Sequence, residues 1–309
     1  MVRRDPGFRT DREVGRALLE ANWLRPETAA WRLMDALLLR RVKLPDPVLD
    51  LGCGDGLFSF IAIGRGRMGL DHDSYSGLGK FTDSSDIYNS GRSTSKTKVT
   101  KRPRHRITGV DHKQNLLDQA ASLQYYERLV RHDLNKDLPF EDGSFGSIFS
   151  NTFYWIKKNA GLARECRRIL RPGGRMAVFV PNKRFVRNLI LASVPSRWHW
   201  ARFLDNGMYE SIGQNIPPSW RGLFTRAGFE IESHTRYMSD RFVKFHNIGT
   251  RSYSRYMIQW ANRMGTTERR KMKRQVVSDI LPAITSYLEY ESRTDSPGCF
   301  EMFVLRNPS

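Results

Sequence analysis

Short apolar runs that end in turn residues alternate along the chain with longer stretches whose apolar residues recur at helical spacing, which predicts a sheet wrapped by helices. Val48, Leu49 and Leu51 make the first such run. It is interrupted only by Asp50 and followed at once by glycines, as expected for a parallel strand buried on both faces. Further runs at 109–111, 129–130, 147–151, 176–180, 229–234 and 299–305 read as later strands. Helices are expected over 12–20, 26–41, 57–63, 115–126 and 217–227. Pro26 suits a first helical turn, Leu33, Ala36 and Leu37 point inward, and Gly228 stops the last of these helices. The fold class predicted is α/β, a doubly wound, mostly parallel seven-stranded sheet with helices on both faces and a helical cap built from insertions.

Three units follow from this pattern. Residues 1–45 form N-terminal helices, in which Trp23 and Trp31 could be lid residues or simply packed ones. Residues 46–182 form a ligand-binding core interrupted by an insertion at about 64–105. Residues 183–309 complete the sheet and carry a second, largely helical insertion at about 237–297, in which Pro282 marks a kink or a break.

The first strand opens into Gly52-Cys-Gly-Asp-Gly56. Glycines there permit positive φ and let a ligand come close to the backbone where a Cβ would collide. A dinucleotide fingerprint is Gly-x-Gly-x-x-Gly, and here the third glycine comes one residue early, a spacing that favours S-adenosylmethionine. Asp50, at the strand end, can accept from the ammonium of a methionine moiety, directly or through water.

At these residues the chain resembles the class I, Rossmann-like S-adenosylmethionine-dependent methyltransferases. The likeness continues through Gly109-Val-Asp-His112, His132-Asp-Leu134, Leu138-Pro-Phe-Glu-Asp-Gly-Ser-Phe145, Ser147-Ile-Phe-Ser-Asn151 and Ile169-Leu-Arg-Pro-Gly-Gly-Arg175, in family order. The resemblance implies a cofactor site made of Asp50, Gly52, Cys53, Gly54, Gly56, Asp111, His112, Asp133, Leu134, Ser150 and Asn151. Asp111 would take the two ribose hydroxyls, with a two-oxygen acceptor facing two donors. Asp133 or its neighbouring backbone would meet the adenine amino group. The chain departs from the pattern in the long interval after the first strand. Within it, Gly69-Leu-Asp-His-Asp73 imitates a strand-end acid and competes with Asp111. Gly146 stands where many relatives carry an acid, which reads as a lost capping or surface group.

Charge widens the list of partners. The 309 residues carry a net charge of +19, and 92–106 hold seven Lys/Arg and no acid. A phosphate-bearing acceptor, nucleic acid or an anionic membrane surface would each be attracted, while a solvated basic loop would need no partner. Cys53, Cys166 and Cys299 are too few and too scattered for a disulfide framework or a four-ligand zinc site, so no metal is expected. Neither a signal-peptide core nor an apolar run of membrane-spanning length is visible, so a soluble protein is expected, either free in the cytoplasm or peripheral to a membrane.

Base-amino methyltransferases usually carry Asp/Asn-Pro-Pro-Tyr at the fourth-strand tip, and this chain has Ser150-Asn-Thr-Phe153. The motifs are most similar to the branch that methylates small molecules, sugars, quinones and lipids, with oxygen the favoured atom. Tyr154 and Trp155 could stack on such an acceptor or pack the next helix. His199, Asp205, His234 and His246 are weak proton-acceptor candidates. An RNA methyltransferase using the basic insert, and a cofactor-binding regulator without turnover, remain the rival readings.

Overall fold

The computed structural model describes residues 3–4, 12–70, 72–73, 75, 106–189, 208–248 and 254–308. The apolar runs become strands β1 (Arg3–Arg4), β2 (Val48–Leu51), β3 (Ile107–Asp111), β4 (Arg128–Arg131), β5 (Phe145–Ser150), β6 (Leu170–Pro181), β7 (Glu230–Tyr237) and β8 (Phe300–Arg306). They form one sheet in the order β1-β7-β8-β6-β5-β2-β3-β4. β8 runs antiparallel to β6 and β7, and every other pair is parallel. Seven strands make the body of the sheet. β1 adds a two-residue edge beside β7 that the apolar pattern does not signal.

β2 pairs with β3 on one side and β5 on the other, so the chain builds outward from β2 first in one direction and then in the other. That reversal opens a crevice at the carboxyl end of β2, where open α/β sheets bind ligands. All four residues of β2 and all six of β5 are buried, as central parallel strands require.

The helices are α1 (Arg12–Ala21), α2 (Pro26–Leu39), α3 (Leu57–Ala62), α4 (Gln114–Ser122), α5 (Asn159–Ile169), α6 (Lys183–Arg187), α7 (Met208–Asn215), α8 (Trp220–Arg226), α9 (Asp240–Ile248), α10 (Ser254–Ala261) and α11 (Thr266–Arg293). α1, α2, α3 and α11 pack on one another, while α5 packs on α8 and β6, and α8 on β7. Phe149, Phe179, Phe224 and Phe303 are each 1% exposed or less in the core, and burying each contributes about 1.5–3 kcal/mol. Among the described residues no helix is long and apolar enough to cross a membrane.

Four expectations change. α11 runs unbroken through Pro282, because Val277, Leu281, Ile284 and Leu288 are buried on both sides of it. Their burial offsets the roughly 3 kcal/mol that an interior proline costs. The helix expected to reach Tyr126 stops at Ser122, and Gln124 adopts a left-handed φ of 49°, which turns the two tyrosines that follow back toward β2 and β3. The Arg-Pro-Gly-Gly stretch, which precedes the strand expected over 176–180, lies within β6, whose Leu170 already pairs with Phe145. Gly146 is no lost surface group. A Cβ there would lie 2.5 Å from the carbonyl oxygen of Asp46 and 2.8 Å from that of Pro45.

Gly146→Ala should therefore lower stability by about 1–3 kcal/mol, the usual cost of overpacking against an unyielding backbone. Gly161→Ala, on α5 with nothing within 4 Å of its added Cβ, should instead gain roughly 0.5–1 kcal/mol. Urea denaturation of the pair checks this, and equal effects at the two positions would refute the packing account.

Candidate functional site

The turn after β2 is built from three left-handed glycines, Gly52 at φ 78°, Gly54 at φ 56° and Gly56 at φ 74°. Each is bare for a different reason. A Cβ on Gly52 would sit 2.0 Å from Thr152 Oγ1, and one on Gly56 would sit 2.6 Å from the Tyr126 ring. Gly54 faces nothing within 4 Å, so its backbone borders open space that a side chain would occupy. Much of the turn's hydrogen bonding is internal. The Gly52 and Cys53 amides donate to Val110 O, and the Gly56 amide donates to Cys53 O. What the turn offers at Gly54 is close approach to bare main chain.

Asp111, at the end of β3, fixes the turn's position. Its Oδ2 accepts from the Gly54 amide at 3.0 Å and its Oδ1 from the Lys113 amide at 2.9 Å, with His112 Nδ1 3.5 Å away. Each carboxylate oxygen has a second lone pair for another donor. Asp50 lies beneath the turn, 2% exposed, and accepts from the Tyr126 hydroxyl at 2.6 Å. Burial pushes its carboxyl up to about 6, against the opposing hydrogen bonds from Ser59 and Tyr126, and the nearby Asp111 adds to the rise. Burial likewise drives the Cys53 thiol far up, so it is a neutral packing group rather than a nucleophile.

The loops at the carboxyl ends of β4 and β5 lie beside this turn in the sheet order. Asp133 is exposed and accepts from the Asn135 amide and side chain, both at 3.0 Å, which holds it below its ordinary range. Leu134 is buried. The Ser150 and Thr152 hydroxyls both donate to Leu51 O, at 2.9 and 3.1 Å, tying the tip of β5 to the root of the glycine turn. Asn151, between them, is half-buried. The structure therefore brings together residues in or just after β2, β3 and β5 that are up to 101 positions apart in sequence, and Asp133 with Leu134 follows the strand next to β3.

The competing acid segment is used elsewhere. Asp73 pairs with Arg269 of α11 at 2.5 Å, and the His72 carbonyl accepts from Lys273. Asp71 lies outside the described residues, as do His199, Asp205 and most of the basic insert. His234 is 6% exposed, bonded to Glu301 at 2.9 Å and stacked on Phe303 at 4.2 Å, where it joins β7 to β8. His246 is also buried, edge-on to Trp31 at 4.5 Å. Trp31 belongs to an aromatic group with Phe185 and Phe300 rather than standing open as a lid. Tyr154, 5% exposed, packs edge-on against Phe300, and only its neighbour Trp155, 36% exposed, keeps a face toward solvent.

Three residues with no motif signal shape the site. Tyr126 braces both Asp50 and Gly56, Thr152 backs Gly52, and the Asn135 side chain accepts from the Lys157 and Lys158 amides, linking the loops after β4 and β5. An aromatic pair directly before a short strand was the visible trace of the first. Thr152 reaches Gly52 and Leu51, and Asn135 reaches Lys157 and Lys158, only across long stretches of chain.

Residues 89–178 match a family model described as a methyltransferase domain. Among solved structures, the S-adenosylmethionine-dependent methyltransferase of Thermotoga maritima is 12% identical, with 96% of this chain and 98% of that chain covered at a TM-score of 0.46. A Mesorhizobium loti S-adenosylmethionine-dependent methyltransferase is 14% identical over 87% and 96%, at 0.44. The [4+2]-cyclase SpnF is 18% identical over 99% and 87%, at 0.48. No curated protein sequence matches.

The raised Asp50 carboxyl gives stability a direction with pH. Below its ordinary 3.8 it is protonated folded or unfolded; between there and about 6 the unfolded chain ionises first, so folding loses stability as pH rises. Asp35, also buried and pushed up to about 6, acts in the same sense. Relative to Asp50→Asn, wild-type stability should fall from about pH 4 to about pH 6 and then level off. Denaturant titrations across that range check it, and a constant difference would show that Asp50 ionises freely.

Proposed function

We propose that the chain, an S-adenosylmethionine-dependent methyltransferase of the class I, Rossmann-like kind with S-adenosylmethionine as its donor, methylates an oxygen of a small-molecule, sugar or lipid-linked acceptor. The observation that carries the donor site is Gly54, whose open Cβ direction lies beside an Asp111 carboxylate already pinned to its amide. In this reading Asp111 receives the ribose hydroxyls on its remaining lone pairs and His112 borders them. The loop of Asp133 and Leu134 borders the adenine, and Gly52, Cys53, Gly54 and Gly56 lie against the methionine part. Asp50 acts from below by holding Tyr126. Ser150 and Asn151 end the strand that faces the transferable methyl.

The donor supplies an electrophilic methyl on a sulfonium, and the protein supplies alignment. Holding two reactants in line lowers a barrier by about 7–11 kcal/mol without an acid or a base. An alcohol acceptor must also release its proton, and His199 and Asp205 remain the proposed acceptors, because His234 and His246 are committed to packing. The half-open Trp155 favours an acceptor with a flat or apolar face over a flipped base, which would need the Pro-Pro-Tyr grip missing from 150–153. The +19 charge favours an acceptor that carries phosphate.

Gly54→Leu and Asp111→Ala should each abolish donor binding in calorimetry while leaving the fold intact, whereas Asp73→Ala should leave donor affinity within about twofold. Unchanged affinity in the first two would refute the site. With labelled methyl donor and a fractionated extract, label should enter small-molecule or lipid fractions. Label in RNA would replace this acceptor class by a nucleic acid, and donor binding without any product would make the chain a sensor. Once an acceptor is identified, Trp155→Ala should raise its KM roughly tenfold with donor affinity unchanged, a loss of about 1.4 kcal/mol.

A further inference from the structure

A second cavity, of about 510 Å³, lies between α1, the segment that follows α3, and α11. No residue of the donor turn lines it. Its floor is apolar, with Met68 and Val277 buried, and its rim carries Arg16, Arg67 and Arg274, one guanidinium from each of the three walls. All three are exposed at this rim. Among the described residues no carboxylate forms an ion pair with any of them.

The charge at this place is not cancelled from below. Glu20, 5% exposed in the cavity wall, is the acid that feels these cations. Burial raises its carboxyl, and Lys273, Arg67 and Arg16 pull it back down. Lys273 is itself 2% exposed on α11, where its ammonium donates to the His72 carbonyl and exerts the largest of these pulls on Glu20. Among the described residues the cavity lining thus sets three exposed guanidiniums against a single carboxyl, Glu20, which Lys273 also faces.

A surplus of planar donors around an apolar hollow has a specific complement. Guanidinium groups bind phosphoryl oxygens through paired, charge-assisted hydrogen bonds, and several around one opening can share a dianion. The hollow is within the size range of small-molecule sites, about 300–1,000 Å³, and its floor favours hydrocarbon over water. A surface merely solvated by lysines and arginines would have neither the enclosure nor the apolar floor.

We propose that this cavity binds a phosphoryl group attached to an apolar body, with Arg16, Arg67 and Arg274 on the phosphate and Met68 and Val277 against the hydrocarbon. A membrane phospholipid and a free amphiphilic phosphate share that chemistry. The site is separate from the donor turn, so it does not depend on which acceptor is methylated.

The test uses the full chain and three probes: short-chain dihexanoyl phosphatidic acid below its micelle concentration, inorganic phosphate, and vesicles of phosphatidylcholine with and without long-chain phosphatidic acid. The soluble lipid should saturate one site in calorimetry. Arg67→Ala/Arg274→Ala should weaken it by at least about tenfold, and Val277→Trp, which fills the hollow and spares the arginines, should weaken it comparably. Donor binding measured on the same samples should stay unchanged, which shows that the variants are folded. Co-sedimentation with the phosphatidic acid vesicles that is lost in the double variant identifies a membrane source, and its absence alongside soluble binding identifies a free ligand. Equal affinity for the soluble lipid in wild type and both variants would overturn the proposal. So would inorganic phosphate binding as tightly as the lipid, because the apolar floor would then play no part.

Discussion

The hydrogen bond from the Gly54 amide to Asp111 Oδ2, 3.0 Å long and spanning 57 residues of sequence, is the constraint on which the site's shape depends. A glycine turn by itself is a loose object, because glycine gives up more conformational freedom on ordering than any other residue. Here the turn is held from three directions. Asp111 holds it from β3, Tyr126 fills the space below Gly56 and binds Asp50, and Thr152 presses on Gly52 from β5. Of the three, Gly54 alone has open space in its Cβ direction, which leaves its backbone free to be approached by a ligand.

That arrangement explains what could be read from the chain and what could not. Strand-end acids and spaced glycines act through local geometry, so their spacing carries information: Asp50 lies in β2, Asp111 ends β3, and Gly54 lies in the turn between β2 and α3, although Asp50 is buried against Tyr126 rather than open to a ligand. Tyr126 carries no such mark. It was expected inside a helix, and it reaches the turn only because α4 ends at Ser122 and the backbone reverses at Gln124. Gly146 misled for the opposite reason. Its bareness answers to the backbone of Pro45 and Asp46, a hundred residues earlier, and no local pattern records a contact of that range. Pro282 shows the same limit in a helix, where local preference gave way to four buried neighbours.

The long interval after the first motif also shaped what comparison could recover. The methyltransferase-domain match begins at residue 89, inside that interval, and ends at 178 in β6, so the glycine turn falls outside it. In space the break disappears. β2 and β3 pair in register over four residues, Val48 with Ile107 through Leu51 with Val110, as though nothing had been inserted. The described start of the insert is anchored away from the turn, on α11 through Asp73, Arg269 and Lys273. An insertion that docks on a neighbouring helix can grow without disturbing the strand pair that frames the site, since loop-closure cost rises only slowly with length.

Alignment is the main thing such a protein must supply, and it places a demand on the scaffold that a catalytic base does not. The proposed in-line transfer would tolerate little error between the strand proposed to carry the donor and the strand proposed to face the acceptor, since misplacement by about 1 Å can cost a hundredfold in rate. In this fold both belong to one rigid element. Leu51 O, at the last residue of β2, accepts from the Ser150 and Thr152 hydroxyls at the end of β5, so the glycine turn cannot shift without moving the tip that carries Asn151 and Trp155. On the proposed reading, acceptor choice can therefore change through residues outside these two strands, while the geometry of transfer stays fixed by the strands themselves. A shared scaffold with such a division of labour constrains the reaction's geometry far more tightly than it constrains the identity of the acceptor.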